Sequence, residues 1–474
     1  ATGIYSEYSG TVPSLIKSDN EISLTGKNST GIYTSGSGVY NIENAGTITI
    51  GNSDSITDPS IAIYSDNSSN VIKNTGTLNI GENSLGIFNN GGSVDESGSI
   101  NILDSGIGIY SDGGTVTASS AQITAGKNSA IGIYAKNSAA VTNNSLNISV
   151  GDKSYGFVLE NNSEVLNNGS ADIGNESIFA YASQNSNIIN NGNITSAGNS
   201  NIVLYSVNGG ITENTGSLTV DSGSGNIGIY NEKGEIKNTG IIKTGDSLIS
   251  IDPVTGKPVK ENTRYAIGIY GESSKIYNSG DIEIGENAIG IYAKNSIGIV
   301  ENRGNITSGS PADYNNNSVG IVAEGGSGLI NYGDINLFGD GVIGIYAKSA
   351  GHVINEGKIN ITGKEATGIY GMINTVVENN GEINVSGNGS IGITAPSGKI
   401  INNGIIRVSD GAVDISEGNK YPLPSLVNMG IIEVDGRFEN TGMDISIKPD
   451  LSSIKESTAA NVDFVLQSGS IYAN

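Results

Sequence analysis

The phrase Gly-Ile-Tyr returns along this chain at a nearly fixed interval, and that interval constrains the fold more than any other feature. It stands at Gly3-Ile4-Tyr5, Gly31-Ile32-Tyr33, Gly108-Ile109-Tyr110, Gly132-Ile133-Tyr134, Gly228-Ile229-Tyr230, Gly268-Ile269-Tyr270, Gly290-Ile291-Tyr292, Gly344-Ile345-Tyr346 and Gly368-Ile369-Tyr370. Tyr110 and Tyr134 are 24 residues apart, and Val322, Tyr346, Tyr370 and Thr394 follow one another at the same step. A second phrase, Asn-x-Gly-x-Ile-x-Ile, keeps pace with it, as in Asn278-Ser279-Gly280-Asp281-Ile282-Glu283-Ile284. Its Asn recurs at 44, 74, 144, 167, 190, 214, 238, 278, 302, 331, 355, 379, 402 and 428, usually two residues after an aliphatic such as Val165 or Ile236.

Each unit therefore holds three short runs of alternating character between Gly, Asn and Ser turns, with no helical period. Alternation in a strand sends successive side chains to opposite faces. Ile133 is expected inside, with Gly132 and Tyr134 outside. One such unit cannot bury its own apolar face, whereas stacked units bury a shared core. The expected fold is all-β: a right-handed parallel β-helix (β-solenoid) with three strands per coil of about 24 residues and about 17 coils. The repeating Asn falls on the inward parity at a corner, where stacked amides satisfy one another from coil to coil. Residues 1–447 carry the repeat, and residues 448–474 read as an irregular capping coil or truncated segment.

Composition narrows the function. Among 474 residues there are 69 Gly, one His and no Cys. That excludes a disulfide framework, a thiol nucleophile and any Cys- or His-rich metal centre. The net charge of −23 opposes binding to nucleic acid, whose phosphates need basic partners, and to anionic membrane surfaces. No run approaches 18 apolar residues, and Ala1 to Tyr5 has neither the basic nor the apolar part of a secretory signal. The chain opens inside a repeat and reads as an excised fragment. No cofactor and no metal are expected.

The units, best seen over Ala130 to Asn144 and Ala288 to Gly309, resemble the passenger domains of bacterial autotransporters, which are type V secretion proteins. The wording of Gly-Ile-Tyr-Ala-Lys-Asn-Ser and Asn-x-Gly-x-Ile-x-Ile-Gly is similar to the large fusobacterial-type autotransporter adhesins. The resemblance implies export to the bacterial cell surface, a C-terminal outer-membrane β-barrel in the parent chain, and attachment to protein or glycan receptors on other bacteria or host cells. It carries no ligand-binding residues over to this sequence.

The corner between the Asn-x-Gly run and the next Gly-Ile-Tyr run is usually short, and three insertions lengthen it: about residues 52–59, 246–264 and 310–317. Insertions into solenoids become loops on one edge, often the binding edge. They supply Asp58, Asp252, Lys257, Lys260, Arg264, Asp313 and Tyr314 as candidate partner-binding residues. A second candidate is the outward aromatic stripe of Tyr110, Tyr134, Tyr230, Tyr270, Tyr292, Tyr346 and Tyr370. For the stripe the structural reading, rings packed on one another to brace the stack, outweighs the ligand-binding one.

Catalytic signals are weak. Asp221-Ser222-Gly223 lacks a neighbouring His base, the lone His352 reads as a solvated surface residue, and Arg303-Gly304-Asn305 carries the ordinary repeat Gly. Asp281, Glu283, Glu301, Asp334, Glu356 and Glu382 are scattered rather than clustered. The expectation is a non-enzymatic adhesin passenger fragment acting through outer faces and corner loops of a rigid rod. The alternatives are a carbohydrate-active β-helix enzyme, which needs carboxylates or carboxylates with Arg gathered on one outer face, and a pure spacer.

Overall fold

A computed structural model describes residues 1–144, 147–254, 259, 263–309, 316–372, 374–395, 398–412, 425–434, 438–440, 463–466 and 471–473. It is an all-β, right-handed parallel β-solenoid with three strands per coil and about 16 turns. The first strand of a coil is the Gly-Ile-Tyr strand, as at Ile131–Lys136; the second is shorter, as at Glu164–Asn167; the third carries the paired aliphatics, as at Asn147–Val150. Each pairs in parallel with its counterpart one coil away, in register residue for residue. The chain divides into two compact units: Ala1–Gly223 with Gly228–Glu235, and Ser224–Ile227 with Ile236–Asn474.

The number of turns agrees with the expected count of about 17 to within one. Beyond the coil that begins at Ile391–Thr394, the described residues include a further second and third strand, Ser425–Asn428 and Ile431–Val434. Most of the expected capping segment 448–474 lies outside the described residues. Within it, Asp463–Leu466 pairs in parallel with Ser425–Asn428, and Ile471–Ala473 pairs antiparallel with Phe438–Asn440.

Columns of aliphatic side chains form the core. In the second unit Ile345, Val353, Ile359 and Ile361 of one coil are each no more than 1% exposed. Burying one such side chain contributes roughly 1.5–3 kcal/mol in gross transfer terms.

The glycine of Gly-Ile-Tyr faces inward, not outward as the alternation predicted. In Ile131–Lys136 the buried positions are Gly132, Ile133 and Ala135, so two consecutive residues turn in and the strand bulges between Ile131 and Tyr134. Where other residues take the glycine position, Ala62, Phe179 and Val203 are fully buried. The reason is space. A Cβ on Gly344 would lie 2.7 Å from Ile359 Cγ2 across the core and 2.5 Å from the Gly368 carbonyl oxygen one coil on. At one coil the usual small-large order is exchanged: Phe179 stands beside Ala180 and meets Phe157 edge-on at 5.3 Å.

The inward Asn forms the expected ladder in each unit. In the first, Asn143 donates to Asn167 (2.6 Å), Asn167 to Asn190 (2.7 Å) and Asn190 to Asn214 (2.8 Å). In the second, Asn238, Asn278, Asn302, Asn331, Asn355, Asn379 and Asn402 continue the pattern at 2.7–2.9 Å. The amides from Asn238 to Asn379 also donate to the carbonyl of the glycine two residues on, as Asn302 does to Gly304 (2.9 Å). At the doubled Asn143-Asn144 the ladder uses Asn143. Asn144 is exposed and accepts from Asn168 in an outer row, because Val141 fixes the inward parity. The ladder glycine is required by close approach rather than by a sharp turn: a Cβ on Gly304 would stand 1.9 Å from the Gly280 carbonyl oxygen.

Candidate functional site

The bulge at Gly-Ile leaves three outward residues on each first strand, such as Ile131, Tyr134 and Lys136. In-register parallel pairing then sets the middle one directly over its counterpart. Tyr5, Tyr33, Tyr64, Phe88, Tyr110 and Tyr134 form one continuous stack, with ring centroids 4.8–5.6 Å apart and planes within 9°. Val158 interrupts it. Past Val158 the geometry changes: Tyr181 meets Tyr205 at 5.3 Å and 71°, and Tyr205 meets Tyr230 at 4.8 Å and 89°. In the second unit Tyr270 stacks on Tyr292 (4.9 Å, 25°), Val322 intervenes, and Tyr346 tilts against Tyr370 (5.7 Å, 32°).

A carboxylate row runs beside the rings. The hydroxyls of Tyr5, Tyr64, Tyr270 and Tyr292 donate to Glu7 (3.1 Å), Asp66 (3.4 Å), Glu272 (3.1 Å) and Glu324 (2.6 Å), and Tyr134 donates to Glu160 (2.5 Å). Burial, reinforced by the accepting carboxylate, raises the Tyr134 and Tyr292 phenols above their ordinary range. Lysines bridge the same row: Lys136 to Asp112 (3.0 Å), Lys294 to Glu272 (2.7 Å) and Lys348 to Glu324 (2.8 Å). The hydrogen bond from Lys348, with that from Tyr292, lowers the Glu324 carboxyl. Lys136 also sits 5.3 Å above the Tyr110 ring. Along these runs the rings pack on one another, and the hydroxyls of Tyr5, Tyr64, Tyr134, Tyr270 and Tyr292 are bonded within the protein, so the stripe braces the sheet.

The insertions place their residues unevenly. Asp58 is pinned, accepting from the Asn28 amide of the preceding coil at 2.6 Å. The longest insertion leaves and rejoins the solenoid through an antiparallel clasp in which Leu248 and Arg264 exchange two backbone hydrogen bonds of 2.8 Å. Asp252 accepts from the backbone N–H of Val254 at 2.8 Å. Leu248, Ile251, Val254 and Tyr265 are exposed there, Val254 to 91%. Lys257, Lys260, Asp313 and Tyr314 lie outside the described residues.

Two groupings escaped the sequence reading. Lys358, Glu382, Arg407 and Glu433 gather on the outer face of the third sheet: Arg407 donates to Glu382 (2.6 Å) and Glu433 (2.9 Å), and Lys358 lies 3.3 Å from Glu382. The hydrogen bond from Asn384 comes first in holding the Glu382 carboxyl below its usual range, with Lys358 next. Only the parallel register brings these four together, since they are about one coil apart in sequence. The second is Glu96, which takes the Asn place in the first unit's ladder and is fully buried. Asn74 donates to both its oxygens (2.8 and 2.9 Å) and the Gly98 N–H to one (2.8 Å). Burial outweighs these donors and pushes its carboxyl up to about 8. Its signal was legible in the spacing: Val94-Asp95-Glu96-Ser97-Gly98 has the phrase with Glu for Asn.

His352 is exposed, as expected, and its Nε2 lies 3.0 Å from Glu378. Arg303 lies over the Tyr332 ring at 4.1 Å and bonds Glu301. Among the described residues no group of three or more His, Cys, Asp or Glu is arranged to hold a metal ion.

No curated protein and no solved structure matches the sequence. Residues 84–333 and 332–436 match the family described as the BigA third pectate lyase-like domain. The matched span takes in coils of both units, with the rings from Phe88 to Tyr370 and the ladder glycines from Gly98 to Gly430. The chain therefore belongs to the BigA third pectate lyase-like domain family.

Proposed function

We propose that this chain is a non-enzymatic, surface-exposed passenger segment of an autotransporter-type adhesin, attaching to protein or glycan receptors on other bacteria or host cells. The parent chain, on this reading, is anchored by a C-terminal outer-membrane β-barrel, and the narrower kinship is with fusobacterial-type adhesins. The observation that carries the reading is the insertion at 246–264, which presents Leu248, Ile251 and Val254 to solvent, with Tyr265 exposed just after it. A cluster of large apolar side chains on a loop clasped at its base is an arrangement suited to a protein contact. Deleting residues 246–264 should lower attachment to target cells while leaving a β-rich circular-dichroism spectrum. Unchanged attachment would favour a spacer whose binding resides elsewhere in the parent chain.

A second reading, a carbohydrate-active enzyme of lyase or glycosidase type, is favoured by one cluster: Arg407 with Glu382, Glu433 and Lys358 on one outer face. Each charge there already has a partner of opposite sign. Incubation with polygalacturonate, followed by the absorbance of unsaturated product, tests it; turnover abolished by Arg407→Ala would replace the adhesin reading with this one.

A further inference from the structure

In the coplanar stack from Tyr5 to Tyr134 each ring covers its neighbour's face. Carbohydrate recognition by aromatic residues needs a free ring face, onto which the C–H side of a sugar packs, and polar groups at its edge for the hydroxyls. In the lower stack the inner rings Tyr33, Tyr64, Phe88 and Tyr110 have a ring on each face, so none of them offers a free one. Beyond Val158 the conditions reverse. Tyr205 stands nearly perpendicular to both Tyr181 and Tyr230. In an orthogonal pair one ring meets the other with its edge, so that ring's two faces are not spent on the column.

The hydroxyls differ too. Those of Tyr134 and Tyr292 are tied to carboxylates, whereas those of Tyr181 and Tyr205 have no hydrogen-bond partner among the described residues. Tyr155 adds a fourth ring to the same outer face, one coil below Ile178 in the flanking column and near enough to act on Tyr205. Its hydroxyl also has no partner among the described residues. Half-buried Ile178 and Ile202 border the rings. Glu160 and Glu232 close the same face, the first accepting from Tyr134 and the second paired with Lys233 at 2.8 Å. The chain's net charge is −23.

We infer that Tyr155, Tyr181, Tyr205 and Tyr230 form a subsite for a neutral glycan, in which turned ring faces pack on the sugar and the phenols of Tyr155, Tyr181 and Tyr205 bond its hydroxyls. The acid excess turns away sialylated and uronate chains. The inference deepens the adhesin reading and rests on it for its biological setting, though not for its chemistry.

The test is a glycan array carrying neutral and sialylated oligosaccharides, probed with the whole chain. The variants are Tyr205→Ala, Tyr205→Phe and, as a control in the closed stack, Tyr33→Phe, each first checked for an unchanged β-rich spectrum and melting temperature. Neutral glycans should bind, sialylated ones should not, and Tyr205→Ala should weaken binding about tenfold, the loss of one packed ring face. Tyr205→Phe keeps the ring and loses the hydroxyl, so its loss should be smaller, while Tyr33→Phe should match the parent. If Tyr205→Ala unfolds, the Tyr205→Phe and Tyr33→Phe pair decides alone: equal binding by the two overturns the subsite. Absence of neutral-glycan binding, or Tyr205→Ala binding unchanged, also overturns it. So does cell attachment that Tyr205→Ala abolishes but that survives removal of target glycans, which would make the occupant a protein. Cell attachment by the parent chain distinguishes the two readings: attachment without array binding removes the subsite and keeps the adhesin, and array binding without attachment does the reverse.

Discussion

Replacing Glu96 by Gln should make the first unit more stable above pH 8 and leave it nearly unchanged at pH 5. Glu96 is fully buried among neutral donors, with no cation bonded to it, and its carboxyl is raised from 4.5 to about 8. The folded protein thus holds a proton that the unfolded chain has already released. The stability this proton confers is complete below pH 4.5 and disappears as pH rises through 8. At about 1.4 kcal/mol per pH unit the interval is worth on the order of 5 kcal/mol. Glu324 and Glu382 are lowered instead, so their contribution is lost only as pH falls below the ordinary carboxylate range, which leaves the window from 4.5 to 8 to Glu96. Gln at this place still accepts from Asn74 and from Gly98 and carries no charge. Urea unfolding followed by circular dichroism at pH 5, 6.5 and 8.5, with amide exchange read over the coils from Val71 to Ala118, measures the effect. Parent and Glu96→Gln curves with the same pH dependence would refute the reasoning, since they would mean that water reaches the carboxyl or that a cation accompanies it.

Asn331→Ala should cost about 1–3 kcal/mol in denaturant unfolding of the second unit, because it strips an acceptor from Asn302 and a donor from Asn355, both buried. Gly344→Ala should cost a similar amount, roughly 1–3 kcal/mol, although alanine is the better residue for an extended backbone. Its methyl would press on Ile359 and the Gly368 carbonyl, and a thermal melt at or above the parent's would show that the core has room. Ile345→Ala, which empties a fully buried place in the aliphatic column, should destabilise by about 2–5 kcal/mol in the same assay.

The 24-residue step, the three strands per turn and the Asn ladder were all legible in the sequence. Each is a repetition, and in a stack repetition along the chain becomes adjacency in space. Asn278 and Asn302 bond because one coil separates them. What alternation could not deliver was the direction of the glycine. A period-2 rule allows no two consecutive inward residues, and Gly132-Ile133 breaks it. One rung was misplaced at Asn144: neither asparagine of the pair has the phrase's glycine two residues on, and only the parity set by Val141 selects Asn143.

The sequence by itself determined what kind of object this is, because period and parity are properties of the chain and stacking is the only way to bury one apolar stripe per coil. Tertiary structure decided which surface groups are free to meet a partner. Tyr134 and Tyr205 occupy equivalent places on equivalent strands. One has its hydroxyl on Glu160 and its ring in a closed stack, and the other stands edge to face with an unoccupied hydroxyl. That difference lies in ring orientation, which depends on the neighbours above and below and not on period or parity. The gathering of Arg407, Glu382 and Glu433 has the same origin: side chains a coil apart meet only once the register of the sheet is set.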